Sequence, residues 1–98
     1  MHCTWDPHKN QVNIAKHGLD FTDAARLFDL PDHLILEEFD ETPNEASEDR
    51  IRSIGPIAQG TIIVVSVDRE DGETIHLISA RFATPLERRR YANLIAGV

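Results

Sequence analysis

The sequence has very little cysteine and no long apolar run. Cys3 is the single cysteine, so an internal disulfide cannot form, and we expect a small buried thiol in a reducing compartment. No apolar stretch approaches the ~20 residues of a membrane helix, and the N-terminus lacks the basic start and apolar segment of a secretory signal. These absences predict a cytoplasmic protein with no membrane partner.

Basic residues are missing from one long stretch of the chain. Residues 29–49 contain nine Asp and Glu but no Lys or Arg, and the net charge of the chain is −7. A nucleic-acid enzyme usually has a basic footprint, yet a local positive field depends on nearby charge more than on the total. The acidic stretch is therefore either a solvated edge strand with its loop or a surface for a basic partner.

The first third of the chain carries clear helix signals. Residues 2–5 fit a short strand, after which Asp6 caps a helix that has Pro7 at its first position and ends at Gly18. A second helix follows, and Pro31 ends it. Its apolar stripe consists of Phe21, Ala24, Ala25 and Phe28.

The rest of the chain is dominated by strands. Residues 61–67 are apolar at nearly every position, which predicts a central strand covered on both faces, and Asp71-Gly72 predicts a hairpin to the next strand. The predicted strands are residues 33–39, 50–57, 61–67 and 74–81. We therefore expect one α+β domain, residues 1–98, with an antiparallel sheet of about four strands and two N-terminal helices and one C-terminal helix packed on it. In the last strand, alternation predicts a common face for Ile75, Leu77 and Ser79.

A strand-to-helix joint at residues 78–91 places cations on rigid elements. Thr84 and Glu87 have the spacing of a capping box, and Pro85 fits the first helical position. Arg81 lies at the end of the strand, where its guanidinium group could bind a phosphate with two hydrogen bonds. The alternative is a structural ion pair with Glu87 that fastens the last helix to the sheet.

These elements share their order and spacing with a known family. The residues that carry the similarity are Trp5-Asp6-Pro7, Lys9-Asn10, Asn13, Lys16-His17-Gly18, Phe21, Ala24, Phe28-Asp29, Arg50, Ile54-Gly55, Ile78-Ser79-Ala80-Arg81, Ala83-Thr84, Glu87 and Tyr91. Over essentially the whole chain this pattern resembles the BrnT toxins of bacterial type II toxin–antitoxin systems. The resemblance implies a RelE-like fold and a ribonuclease that halts translation. It also implies neutralisation by a BrnA-like antitoxin, a ribbon-helix-helix protein through which alone the complex would bind DNA.

Cleavage of RNA without a metal needs three kinds of group. A base takes the 2′-hydroxyl proton, cations stabilise the charge on the phosphate, and an acid protonates the leaving 5′-oxygen. The candidate catalytic residues, cations for the phosphate and groups that move protons, are Arg81, Arg50, Lys16, His17 and Glu48. The candidate RNA-binding residues are Tyr91, Arg52 and Lys9.

Most of these side chains also have a structural alternative. Arg50 could pair with Glu48 or Asp49, His17 could cap its helix, and Tyr91 could be a packed ring. The five histidines form no metal-ligand motif, and we expect no metal and no cofactor. Successive directions around the helix predict a solvated face, or contacts to a partner, for Arg88, Arg89 and Arg90.

The acidic net charge keeps a second function open. The chain could be a toxin-like binding module with weak or lost activity, which acts as antitoxin partner and operon co-repressor. Such a module would form a tight complex and repress its operon without cleaving RNA.

Overall fold

The computed structural model describes residues 2–43, 49–69 and 71–96, which form one five-stranded sheet and three helices. In chain order the elements are β1 (His2–Thr4), α1 (Pro7–His17), α2 (Phe21–Ala24), β2 (Leu36–Asp40), β3 (Arg50–Ile57), β4 (Gly60–Asp68), β5 (Thr74–Phe82) and α3 (Pro85–Ala96). Two 3₁₀ turns, Ala25–Asp29 and Asp32–Leu34, join α2 to β2.

The ends of α1 follow the sequence signals. The side chain of Asp6 accepts a hydrogen bond of 2.8 Å from the N–H of His8. At the other end Gly18 adopts a left-handed conformation with φ of 69°, and its N–H donates to the Ile14 carbonyl at 2.8 Å. Both predicted helix boundaries are confirmed, because the cap residues satisfy backbone groups that the helix leaves unpaired.

The predicted second helix is wrong beyond its first turn. α2 has only four residues, and Ala25–Asp29 continue as a 3₁₀ turn. The buried side chains here are Phe21, Ala24 and Leu27, whose spacing of three matches the three residues per turn of a 3₁₀ helix. The next strand also begins later than predicted, at Leu36, because Asp32–Leu34 form the second 3₁₀ turn.

The sheet has the strand order β1-β5-β4-β3-β2. β1 pairs parallel with β5, whereas the other neighbours are antiparallel. The expectation of a purely antiparallel sheet of about four strands is therefore wrong, since alternation identifies strands but not the direction of their partners. The central position of β4 and the β4–β5 hairpin are confirmed.

The helices lie on different sides of this sheet, and each side has its own core. We define the first face as the side of Ile62 and Val64, and the second face as the side of Ile63. α2 and the turn that follows it pack on the first face, where Trp5 meets the ring of Phe21 edge-on at 6.1 Å. The main core on the first face consists of Leu19, Phe21, Ala24, Leu27, Ile62, Val64, Ile75, Leu77 and Ala80. The smaller core on the second face consists of Ile54, Ile63 and Ala83, with Leu36 and Tyr91 packed against it.

An irregularity in the β4–β5 pairing changes which side chains share a face. The register shifts between Val65 and Ser66, so that Leu77 and Ala80 both lie in the first-face core. Ser79 is the neighbour of Ala80 and therefore points to the second face. The predicted common face for Leu77 and Ser79 is wrong, because a bulge breaks simple alternation.

Helix α1 covers the outer edge of β5 next to the short strand β1. Asn13 is 6 % exposed, and its Nδ2 donates to the Ala80 carbonyl at 2.8 Å while its Oδ1 accepts from the Ala80 N–H at 3.1 Å. The same Nδ2 donates to the Leu19 carbonyl at 2.9 Å. The amide of Asn13 thus takes the place of a neighbouring strand and fixes the C-terminal end of α1 beside β5.

Candidate functional site

Arg81 lies near the end of β5 on the second face, opposite Ile63 of β4. Its Nη1 and Nη2 donate to Oε1 and Oε2 of Glu87 at 2.7 and 2.9 Å, and Nη1 also donates to the Phe82 carbonyl at 3.3 Å. This guanidinium holds the pKa of Glu87 at about 2, and the carboxylate raises the pKa of Arg81. The structural ion pair is therefore present, while Nε and one N–H of Nη2 have no acceptor among residues 2–43, 49–69 and 71–96 and can take another one.

The Glu87 carboxylate also caps the N-terminus of α3. Its Oε1 accepts from the N–H of Thr84 at 2.9 Å, and the N–H of Glu87 donates to Thr84 Oγ1 at 3.2 Å. The predicted capping box is confirmed. One carboxylate thus fixes both the start of the helix and the orientation of Arg81.

A second ion cluster forms where α3 passes over β2. Glu38 receives Arg90 at 3.0 and 2.7 Å and Arg52 at 3.0 Å. The hydrogen bonds from Arg90 are the main reason that the pKa of Glu38 falls to about 2, although burial of the carboxylate opposes this shift. The carboxylate therefore stays ionised at neutral pH and holds two guanidinium groups side by side.

Arg50 lies two residues before Arg52 on the same face of β3 and opposite Asp40 of β2. The buried Nε groups of Arg50 and Arg52 have no hydrogen-bond partner within residues 2–43, 49–69 and 71–96. In the same part of the chain Arg50 forms no ion pair with Asp49, one of the two predicted alternatives. The other alternative, Glu48, is also a predicted catalytic residue and lies outside the described residues.

The strand register places these arginines on a common surface. Arg52 is aligned with Val65, which is aligned with Ser79, so Arg52 and Ser79 are two strand spacings apart, or about 10 Å. Arg81 lies two residues further along β5 on the same face, about 7 Å from Ser79. We call this surface the arginine face, and its members are Arg50, Arg52, Arg81 and Arg90 with the carboxylates of Glu38 and Glu87.

The predicted residues of α1 border the arginine face. Lys9, Lys16 and His17 line a shallow cleft of about 200 Å³ together with Ser79. Ser79 and Arg81 share a face of β5 two residues apart, although Arg81 is not among the residues that line the cleft. The structure therefore groups Lys9, Lys16 and His17 around Ser79, and it places Arg81 and Arg50 on the same face of the sheet as Ser79 but outside this cleft.

Tyr91 has a clear structural contact. Its hydroxyl donates to the Leu34 carbonyl at 2.6 Å, its ring packs in the second-face core, and burial raises its pKa. This contact ties α3 to the turn before β2. The predicted role of Tyr91 in RNA binding remains a prediction.

Arg90 and Glu38 were not among the candidate residues predicted from the sequence. The three arginines of α3 are exposed, as expected for a solvated face, but Arg90 also forms an ion pair with Glu38 that was not predicted. The sequence does contain a signal for the orientation of Arg90. Its spacing of three from Glu87, with Tyr91 at a spacing of four, places these side chains on one face of the helix. For Glu38 the sequence contains only the alternation of β2, which predicts the face of the strand on which its side chain lies. That pattern does not reveal that α3 crosses this strand.

Two other kinds of feature, a metal-ion site and a membrane-spanning helix, are absent from the described parts of the chain. Residues 2–43, 49–69 and 71–96 contain no group of three or more His, Cys, Asp or Glu side chains that could hold a metal ion. None of the helices in these ranges has the length and apolar character needed to cross a membrane.

The sheet, helix α3 and the arginine face define a small α+β domain that carries four guanidinium groups on one face of its sheet. A family model described as the ribonuclease toxin BrnT of type II toxin–antitoxin systems matches residues 5–87. The chain therefore belongs to this family of ribonuclease toxins, for which an antitoxin is the expected partner. No curated protein shows significant similarity to the chain.

Proposed function

We propose that this chain is a metal-independent endoribonuclease that cleaves single-stranded RNA, with messenger RNA as its cellular substrate. The arginine face is the observation that carries this proposal. Four guanidinium groups lie on one side of a sheet, and carboxylates orient three of them. Planar guanidinium groups held in this way match the geometry of phosphate oxygens.

The residues suggest a division of roles in the reaction. Arg81 binds the scissile phosphate through the donors that Glu87 leaves open, and Arg50 and Arg52 hold a neighbouring phosphate. Lys16 or His17 takes the proton of the 2′-hydroxyl. O2′ then attacks phosphorus, the bond to O5′ breaks, and the 5′-oxygen leaves with a proton from the other of these two residues, which produces a 2′,3′-cyclic phosphate.

The proposed consequences in the cell rest on the match to a ribonuclease toxin of a toxin–antitoxin system and on the resemblance to BrnT toxins. Cleavage of messenger RNA would stop translation, and a BrnA-like antitoxin with a ribbon-helix-helix domain would neutralise the toxin. The complex would bind its operon through the antitoxin and repress it. We further propose the RelE-like fold that the family resemblance implies and a cytoplasmic site of action.

Cleavage of a 5′-labelled single-stranded RNA by purified toxin in EDTA tests the proposal. Arg81→Ala should lower the cleavage rate by about 10²- to 10³-fold, the usual cost of removing one stabiliser of a developing charge. Arg81→Lys should lose less activity, since it keeps the charge without the planar fork. Arg69→Ala, at an exposed position outside the arginine face, serves as the control and should stay within twofold of the parent.

The products and the folding state complete this test. The expected product carries a 2′,3′-cyclic phosphate, and an RNA with 2′-deoxyribose at the cleavage site should resist the enzyme. Thermal unfolding curves must show that each variant is folded at the assay temperature, because Arg81 also fastens α3. A parent without cleavage, or an Arg81→Ala variant as active as the parent, would contradict the assignment.

One observation favours a second candidate function. Glu87 occupies two donors of Arg81, and Glu38 engages both Arg52 and Arg90, so three of the four arginines on this face are already paired with a carboxylate. A binding module without catalytic activity would tolerate this arrangement. It would bind the antitoxin and repress the operon while no concentration of the protein cleaves RNA.

A further inference from the structure

The outer edge of β2 is open to another strand. β2 ends the sheet order, and within residues 2–43, 49–69 and 71–96 no strand pairs with its outer side. An edge strand presents unpaired N–H and C=O groups, which form a template for the addition of a strand from a partner. The opposite end of the sheet differs, because β1 has three residues and α1 covers the edge of β5 beside it.

An exposed aromatic side chain marks the same strand. Phe39 is 74 % exposed, whereas its neighbours Glu38 and Asp40 point to the other face of β2. Together with Ile51, its partner on β3, and Glu37 it lines a concave depression of about 180 Å³. An aromatic ring beside an apolar depression is a usual anchor of a protein interface.

The charge around this edge restricts the occupant. Glu37 and Glu41 are exposed on β2 and just after it, within the stretch of residues 29–49 that has no Lys or Arg. A second copy paired through β2 would set these carboxylates against the same groups of its partner, and RNA would be repelled as well. Charge complementarity therefore favours an extended segment rich in Lys and Arg.

We propose that a basic, extended segment of the antitoxin adds a strand to β2, with an apolar side chain against Phe39 and Ile51 and cationic side chains opposite Glu37 and Glu41. The identity of the partner rests on the proposed function. The added strand would lie next to Glu38, which orients Arg52 and Arg90, so the antitoxin would border the arginine face.

Hydrogen exchange of the toxin, alone and with the antitoxin encoded beside its gene, tests the surface directly. The backbone amides of Leu36–Asp40 that point away from β3 should exchange at least tenfold more slowly in the complex, because strand addition pairs the outer edge, whereas the amides already bonded to β3 should change little. Protection limited to α1 or α3 would overturn the proposal. Protection of β2 that grows with the concentration of toxin alone would also overturn it, since that result indicates pairing of two copies.

Binding kinetics of exposed-site variants provide a second test. Phe39→Ser should weaken antitoxin binding by about 30-fold, as the loss of a central aromatic anchor does. Its matched control is Leu86→Ser, which removes an apolar side chain that is 72 % exposed on α3 and should change affinity less than threefold. Equal affinities of the two variants would contradict the proposed surface.

Charge reversal tests the basic character of the partner. Glu37→Lys with Glu41→Lys should slow association by about tenfold at low salt and flatten its salt dependence, because opposite charges steer the encounter. The control pair is Asp68→Lys with Glu73→Lys, two exposed acids at the β4–β5 hairpin. A control pair that slows association as much would refute a local contact at β2.

RNA cleavage by the same proteins separates this proposal from the proposed function. The variants at Phe39, Glu37 and Glu41 should cleave RNA like the parent in the absence of antitoxin. If the parent does not cleave RNA but the antitoxin still protects β2, the ribonuclease proposal fails and the docking surface stands. If the parent cleaves RNA and β2 stays unprotected, the docking surface fails alone.

Discussion

Replacing Glu87 by Gln should measure how strongly the Arg81 ion pair holds α3 on the sheet. Gln keeps the size of the side chain and an oxygen that can accept the capping hydrogen bond from Thr84, so the start of the helix is preserved. The substitution removes the negative charge and replaces Oε2, which accepts from Arg81 Nη2 at 2.9 Å, with an NH2 group that cannot accept this hydrogen bond. The change in stability therefore reports on the ion pair rather than on the cap.

The expected magnitude follows from the pKa of Glu87. A fall from the ordinary 4.5 to about 2 corresponds to about 3 kcal/mol of preferential interaction with the charged form. The side chains of Arg81 and Glu87 are 38 % and 28 % exposed, so solvent screening reduces the contribution to stability to about 1–2 kcal/mol. For a chain of this size the melting temperature should fall by about 4–16 °C at pH 7.

The pH dependence of this difference has a definite sign. The folded-state pKa of Glu87 lies below its unfolded value, so its contribution is fully present above pH 4.5 and is lost as the pH falls towards about 2. Melting curves of the parent and Glu87→Gln should therefore differ at pH 7 and converge near pH 2. The exposed carboxylate variant Glu73→Gln is the control and should match the parent throughout. Equal melting temperatures at pH 7, or a gap that persists near pH 2, would refute the reasoning.

Two further substitutions test how the sheet is closed and packed. Asn13→Ala should destabilise the protein by about 2–4 kcal/mol, because it leaves both backbone groups of Ala80 without their partner. Hydrogen exchange at the Ala80 amide should also become faster. The control is Gln11→Ala at an exposed position of the same helix. Gly55→Ala should cost about 1–3 kcal/mol in chemical denaturation, since the new Cβ would lie 2.6 Å from Leu27 Cδ1, and a stability equal to the parent would show that this contact relaxes freely.

Local sequence signals predicted the helix ends well because each signal acts within a few residues. The Asp6 cap, the left-handed Gly18 and the capping box of Thr84 and Glu87 all depend on hydrogen bonds between residues two to four positions apart. The same holds for the Asp71-Gly72 hairpin, where Asp71 Oδ1 accepts from the N–H of Thr74 at 2.8 Å. Such contacts need no knowledge of the rest of the fold.

The predictions from the sequence were wrong or incomplete where contacts between distant parts of the chain determine the structure. The parallel pairing of β1 with β5 joins Cys3 to Ile75, and no local pattern encodes that partner. Asn13 looked like an ordinary polar residue of a helix, yet it completes the hydrogen bonds of a strand 67 positions away. The bulge at Ser66 likewise depends on the pairing of two strands and moves a whole set of side chains between faces.

In the candidate site, too, contacts between neighbouring residues could be predicted from the sequence and contacts between distant residues could not. Arg81 could be selected from the sequence because its strand end and its helix partner are adjacent in the chain. The cluster of Arg52, Arg90 and Glu38 could not, since Arg90 and Glu38 are 52 positions apart and meet only when α3 crosses β2. A search limited to basic motifs overlooks such sites, because the carboxylate that organises the cations belongs to an acidic stretch.

The short strand β2 shows how an acidic stretch can serve a cationic surface. Its residues alternate, so Glu38 and Asp40 face the arginines of β3 and α3, while Glu37 and Phe39 face the other side. The inward carboxylates orient guanidinium groups, and the outward side chains remain available to a partner. The negative net charge is thus compatible with phosphate binding, because the carboxylates nearest to the arginines fix their geometry instead of only cancelling their charge. A partner strand paired with the outer edge of β2 would contact the backbone of the same five residues. Antitoxin binding would then be coupled to the shape of the arginine face.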